Sequence, residues 1–158
     1  MSGRTRADRP YAVPGPRGDD GPVLQNDGFR ALDRQMCLRL LARVPVGRVV
    51  YTKQALPAVL PVNFCLDADS SVLLRTSAGS ELVRAIDGAV VAFEADEFDA
   101  ATRSGWSVVV TGRARLLASA DARAPCPAGG PDSWMPVRDD VLVRIESEVV
   151  TGRELGGA

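Results

Sequence analysis

Apolar residues recur at three- and four-residue intervals through Phe29, Leu32, Met36, Cys37, Leu40 and Leu41. That spacing lays one stripe along a helix, with Asp27 as its N-cap and Pro45 with Gly47 ending it. The period then falls to two. Short β-type runs cover 48–52, 58–66 and 72–76, the last two separated by the turn-rich Asp67-Ala68-Asp69-Ser70. A second short helix fits 80–86, with Leu82, Val83 and Ile86 on one side and Gly88 as its stop.

Residues 90–95 return to strand, and the clearest alternation of the chain follows. Trp106, Val108, Val110, Gly112, Ala114 and Leu116 point one way, while Ser107, Thr111, Arg113 and Arg115 point the other. Residues 119–138 are broken by prolines and glycines, with Trp134-Met135 set among them to pin the segment or cover a ligand. In a last strand Val141, Val143 and Ile145 alternate with Leu142, Arg144 and Glu146. Six short strands and two helices favour an antiparallel sheet closed on itself, since closure removes exposed edges. The fold class expected is mainly β, a six-stranded antiparallel split barrel with two flanking short helices. Residues 1–25, rich in Pro, Gly and Arg, bury too little to offset ordering entropy and read as a disordered tail; 26–158 form the domain.

Composition narrows the chemistry. The 158 residues carry 19 basic and 20 acidic side chains, a balance that favours neither nucleic acid nor a membrane as partner. Histidine is absent, which removes Ser-His-Asp hydrolysis, Cys-His proteolysis and imidazole zinc sites. Cys37, Cys65 and Cys126 lie far apart, without a C-x-x-C pair, and read as buried or idle thiols of a reducing compartment. No apolar run nears the roughly 18 residues that span a bilayer, and a cytoplasmic protein is expected.

The strand-to-helix junction Arg75-Thr76-Ser77-Ala78-Gly79-Ser80 carries the most chemistry. Backbone amides entering a helix lack partners, hydroxyls can donate, and Arg75 is a ready counter-ion, so the turn suits a phosphate. Ser77 or Ser80 serves equally as a plain helix cap. Asp96, Glu97 and Asp99 have the oxygen ligands of a hard-metal site but not the spacing of a calcium loop, and no metal is expected.

Four motifs in order, Pro61-Val62-Asn63, the Arg75 to Ser80 turn, Val91-Ala92-Phe93-Glu94 and Gly105-Trp106-Ser107-Val108, with Gly112-Arg113-Ala114 after them, give the chain its resemblance to a known family. It resembles the pyridoxamine 5'-phosphate oxidase-like split barrels that bind flavins, over residues 38–153. The resemblance implies a homodimer with FMN, or a deazaflavin, in grooves between subunits. It implies Pro61, Val62 and Asn63 along the ring through their backbone, and Arg75, Thr76, Ser77 and Ser80 on the phosphate. Trp106 and Ser107 match the family strand that reaches the cofactor, although Trp106 also shares a face with Val108 and Val110, as a core aromatic would.

Glu81 stands where this family places a lysine. About 4 Å from a phosphate, a carboxylate costs roughly 1 to 4 kcal/mol, depending on the dielectric. Either it turns outward, with Arg75 sufficing and Arg84 in support, or the phosphate site has weakened. The function implied is a flavin-dependent oxidoreductase, moving hydride between a reduced nicotinamide or deazaflavin and a small acceptor. The alternative is a non-catalytic flavin-binding or sensing protein, or a split barrel kept for dimerisation.

Overall fold

The computed structural model describes residues 28–117 and 139–156. Along the chain these form β1 (Arg30–Leu32), α1 (Arg34–Leu41), β2 (Val46–Lys53), β3 (Leu56–Leu66), β4 (Val72–Ser77), α2 (Glu81–Ile86), β5 (Val90–Asp99), β6 (Ser104–Leu117), β7 (Asp140–Ile145) and β8 (Val149–Leu155). All pairings are antiparallel.

The barrel closes through one long strand that serves two neighbours. β6 pairs with β8 along Gly105 to Thr111, then with β7 along Ala114 to Leu117, while β5 covers its other edge. The ring therefore runs β6-β5-β2-β3-β4-β7 and back to β6, six strands, with β8 and β1 extending from the fork. Gly112 sits at the fork, where a Cβ would stand 1.6 Å from the Glu146 carbonyl oxygen. Only a residue without a side chain lets the turn from β7 to β8 cross so close to β6.

Strand parity fills the interior as the alternation predicts. Val49, Val72, Leu74, Phe93, Val108, Val110, Val143 and Ile145 are buried in one cluster, and Phe64 meets Phe93 with ring centroids 4.6 Å apart. Burying such side chains contributes about 1.5–3 kcal/mol each, the main drive for closure. α2 covers one end with Leu82, Val83 and Ile86, the three residues its periodicity selects, and Gly88 follows at φ +75°. On the opposite side of the sheet Leu73 and Leu142 make a small second cluster.

Three expectations need correction. α1 begins at Arg34, with the Asp33 carboxylate accepting the Met36 N–H, so Phe29 and Leu32 precede the helix. Arg30 to Leu32 instead pair with β8, because a free strand edge captures a short extended segment more strongly than its apolar spacing favours helix. β8 itself is an added strand. Its Gly-Arg-Glu sequence breaks the β pattern, yet Gly152 packs where a Cβ would lie 2.4 Å from the Cys37 sulphur. Third, Cys65 is disulfide-bonded, so it is no idle thiol. Thiols distant in sequence give no pairing signal, and the spacing no longer speaks for a reducing compartment. Cys37 is free and fully buried, its thiol pushed up by burial and then by Asp33. The tail at 1–25, Asp27, Cys126 and Trp134-Met135 lie outside the described residues. Among those described, no helix is long and apolar enough to cross a membrane.

Candidate functional site

β3 and β4 are paired only at Phe64 to Leu66 with Val72 to Leu74. Beyond that point β3 runs on to Leu56 beside β2, and β4 runs on to Ser77 beside β7. The two strands thus part where residues 61–63 and 75–77 lie. The Phe64 N–H donates to the Pro45 carbonyl at 3.2 Å, so even residues of β3 turn their backbone groups toward β2 and odd ones turn away. Pro57 and Pro61 fall on the odd set, where the β2 ladder needs no donor. The Val62 side chain is buried in the core, while Pro61 is exposed and Asn63 half-buried with its Nδ2 3.4 Å from the Pro45 oxygen.

Across the parting, Arg75, Thr76 and Ser77 end β4, all half-buried. The Ser77 carbonyl accepts the Ser80 N–H at 2.9 Å, closing the turn. Ser80 Oγ accepts the Val83 N–H at 3.2 Å and the Thr76 hydroxyl at 3.3 Å. Ser80 is therefore the cap of α2, and Thr76 shares its oxygen. By strand parity Arg75 and Ser77 lie on the outer face with Leu73, whereas Thr76 follows Val72 and Leu74 inward. The turn gathers Arg75, Thr76, Ser77 and Ser80 into one short segment with two orientations.

Glu81 turns outward, onto Lys53. The Lys53 Nζ lies 2.6 Å from Glu81 Oε2, and both side chains are largely exposed. That hydrogen bond and the Lys53 charge hold the Glu81 carboxyl below its ordinary range, with Arg84 adding a smaller pull. Lys53 is the one functional candidate the motifs passed over, although a single lysine among arginines was a signal in itself.

Trp106 and Ser107 lie elsewhere. The Trp106 ring is 6% exposed within the core, its indole N–H donating to Glu97 Oε2 at 3.3 Å. Ser107 faces out, its hydroxyl 3.4 Å from Arg153 Nε, beside a cavity of about 160 Å³ lined with Val109 and Thr151. Two strands, β5 and β2, separate β6 from β3, which puts Ser107 about 15 Å from residues 61–63 at ordinary strand spacing. Within one chain these two residues do not join the phosphate turn. The acidic residues after Glu94 are each engaged separately: Asp96 with Arg48 at 3.2 Å, Glu97 with Trp106, and Asp99 with the Ala101 N–H at 2.8 Å.

One row crosses the outer face of five strands, Val59, Val50, Ala92, Thr111 and Val149, joined by the register. Val59 and Val149, at its two ends, are 59% and 55% exposed.

The family model for pyridoxamine 5'-phosphate oxidase matches residues 33–154. An uncharacterized protein of Mycobacterium tuberculosis is 43% identical over 126 residues, 77% of this chain and 82% of its own. Among solved structures, the FAD binding protein from Mycobacterium smegmatis is 31% identical with a TM-score of 0.63, over 80% of this chain and 97% of that one. A putative pyridoxamine 5'-phosphate oxidase from Corynebacterium glutamicum is 30% identical with a TM-score of 0.68, over 89% and 99%.

Proposed function

The chain belongs to the pyridoxamine 5'-phosphate oxidase family, and on that premise we propose that it is a flavin-dependent oxidoreductase, with the flavin in a groove between two copies of the chain. The observation that carries this reading is the parting of β3 from β4, which sets the extended backbone of residues 61–63 opposite the Arg75 to Ser80 turn. In it Pro61, Val62 and Asn63 lie against the ring, and Arg75 with the Ser77 hydroxyl holds the phosphate in charge-assisted hydrogen bonds. Thr76 and Ser80 hold the turn and add a hydroxyl edge. The Lys53–Glu81 pair supports the same reading, since it neutralises the carboxylate that would repel a phosphate.

A flavin supplies two-electron chemistry through its own ring, so the chain's residues need only bind, orient and exclude water. This suits a site without histidine. A reduced nicotinamide or deazaflavin is the hydride donor in this reading, and a small molecule the acceptor. The second copy covers the row from Val59 to Val149, and its Trp106 strand brings Ser107 to the groove that one chain leaves incomplete. Flavin binding by the Mycobacterium smegmatis relative, as its name states, supports the cofactor class.

The test is anaerobic titration of the purified protein with FMN and FAD, followed by NADPH. Bound flavin that NADPH bleaches supports the oxidoreductase; bound flavin that NADPH leaves yellow supports a flavin-binding protein instead; no binding of either flavin ends the proposal.

A further inference from the structure

A cavity of about 370 Å³ opens between the tip of the β2–β3 hairpin and the flank of α2, lined by Thr52, Lys53, Gln54, Glu81, Arg84 and Ala85. Two of these carry positive charge and one negative, so the lining is net cationic. Glu81 is already held by Lys53 at 2.6 Å. The Arg84 guanidinium makes no hydrogen bond or ion pair with any described residue; it lines this space, and its charge acts on Glu81.

The hairpin is shaped in an unusual way for its residues. Gln54 and Ala55 both have left-handed backbone, φ 49° and 64°. A two-residue turn of this kind ordinarily takes Asn-Gly, because a Cβ is disfavoured at positive φ. Such strain persists where surrounding structure fixes it, and it concentrates at sites that bind. Here it sets Gln54, whose amide is a donor and an acceptor together, in the lining of the cavity.

Glu81 follows Ser80 directly, so the cavity adjoins the turn to which the flavin phosphate is assigned. We propose that the cavity is a second anion subsite, in which Arg84 and Lys53 take the outer phosphoryl group of a dinucleotide and Gln54 with Thr52 contacts its adenosine. The chemical class is an ADP moiety. This rests on the flavin site proposed above. Flavin and nicotinamide dinucleotides share that moiety, and the arms of the test separate them.

The experiment is calorimetric titration of the full chain and of Arg84→Gln with FMN, FAD, NADPH and ADP. Arg84 is exposed, so the variant keeps the fold, checked by its circular dichroism. FAD binds the wild type at least about tenfold more tightly than FMN, the effect of one charge-assisted contact. In Arg84→Gln that advantage disappears, FAD losing more affinity than FMN does, and ADP displaces FAD from the wild type. If FAD and FMN bind alike but NADPH binding falls in Arg84→Gln, the subsite stands and serves the nicotinamide dinucleotide. Should neither flavin bind, the proposed function fails by itself, and ADP binding that depends on Arg84 still upholds the cavity. Titrations with FAD, NADPH and ADP that are all indifferent to Arg84→Gln overturn it.

Discussion

Lys53 Nζ stands 2.6 Å from Glu81 Oε2, tying the end of β2 to the first turn of α2 across 28 residues of chain. The pair is exposed, and exposed ion pairs add little to folding. Its consequence is local: the carboxylate beside the candidate phosphate turn is neutralised by the chain's sole lysine.

Lys53→Met leaves Glu81 uncompensated and weakens FMN binding roughly fivefold, the effect of a unit charge about 4 Å from a phosphate in a water-like dielectric. Glu81→Gln added to Lys53→Met restores it. A flavin-fluorescence titration of the two single variants and the double variant reads the cycle, and additive effects would show that Glu81 does not sense the phosphate.

Arg75→Ala removes the proposed phosphate counter-ion. FMN affinity falls by about 1.5–3 kcal/mol, the range of a hydrogen bond to a charged group, while the far-ultraviolet circular dichroism stays that of the wild type. An unchanged binding curve would move the phosphate elsewhere.

Gly112→Ala destabilises the barrel. The added Cβ meets the Glu146 carbonyl at 1.6 Å, a backbone contact that no rotamer relieves. Glu146 N–H also donates to Arg113 C=O at 3.0 Å, so the strands cannot separate without losing that bond. A loss of about 1–3 kcal/mol or more is expected in urea denaturation. Ala114→Gly, one turn of the pleat away, removes a methyl group without a clash and serves as the control.

Asp69 makes the β3–β4 hairpin sensitive to acid. The Ser71 backbone N–H holds its carboxyl below the ordinary aspartate range; burial is the next largest effect and opposes it, and the Ser71 hydroxyl and Arg144 lower it further. A carboxyl depressed on folding contributes stability above its unfolded pKa and loses that contribution as pH falls through the folded one. Stability therefore declines below about pH 4, and Asp69→Asn flattens that part of the profile. The side chain is 53% exposed, so the difference stays under about 1 kcal/mol, measurable as urea midpoints from pH 2 to 6.

The strands of the barrel were legible because each has one buried face. In β6 every inward residue of the alternation from Trp106 to Ala114 is buried, and in α2 the three apolar residues are the three that pack. α1 was misread at its start because Phe29 and Leu32 continue a helical spacing whose partner, the edge of β8, is 124 residues away at the Arg30–Glu154 pair. At the candidate site, the motif residues 61–63 and 75–80 could be named in advance. Their arrangement could not, since Ser80 as cap and Thr76 as its neighbour depend on where α2 begins.

Periodicity and composition by themselves determined the mainly β class, the buried faces, the absence of histidine chemistry and the phosphate-turn candidates. These follow from local rules, because side-chain direction repeats every two or 3.6 residues whatever lies opposite. Tertiary structure alone decided that β6 serves two strands, that β3 and β4 part beside the turn, and that Glu81 meets Lys53. Each of those depends on residues distant in the chain meeting in space, and only barrel closure sets that distance.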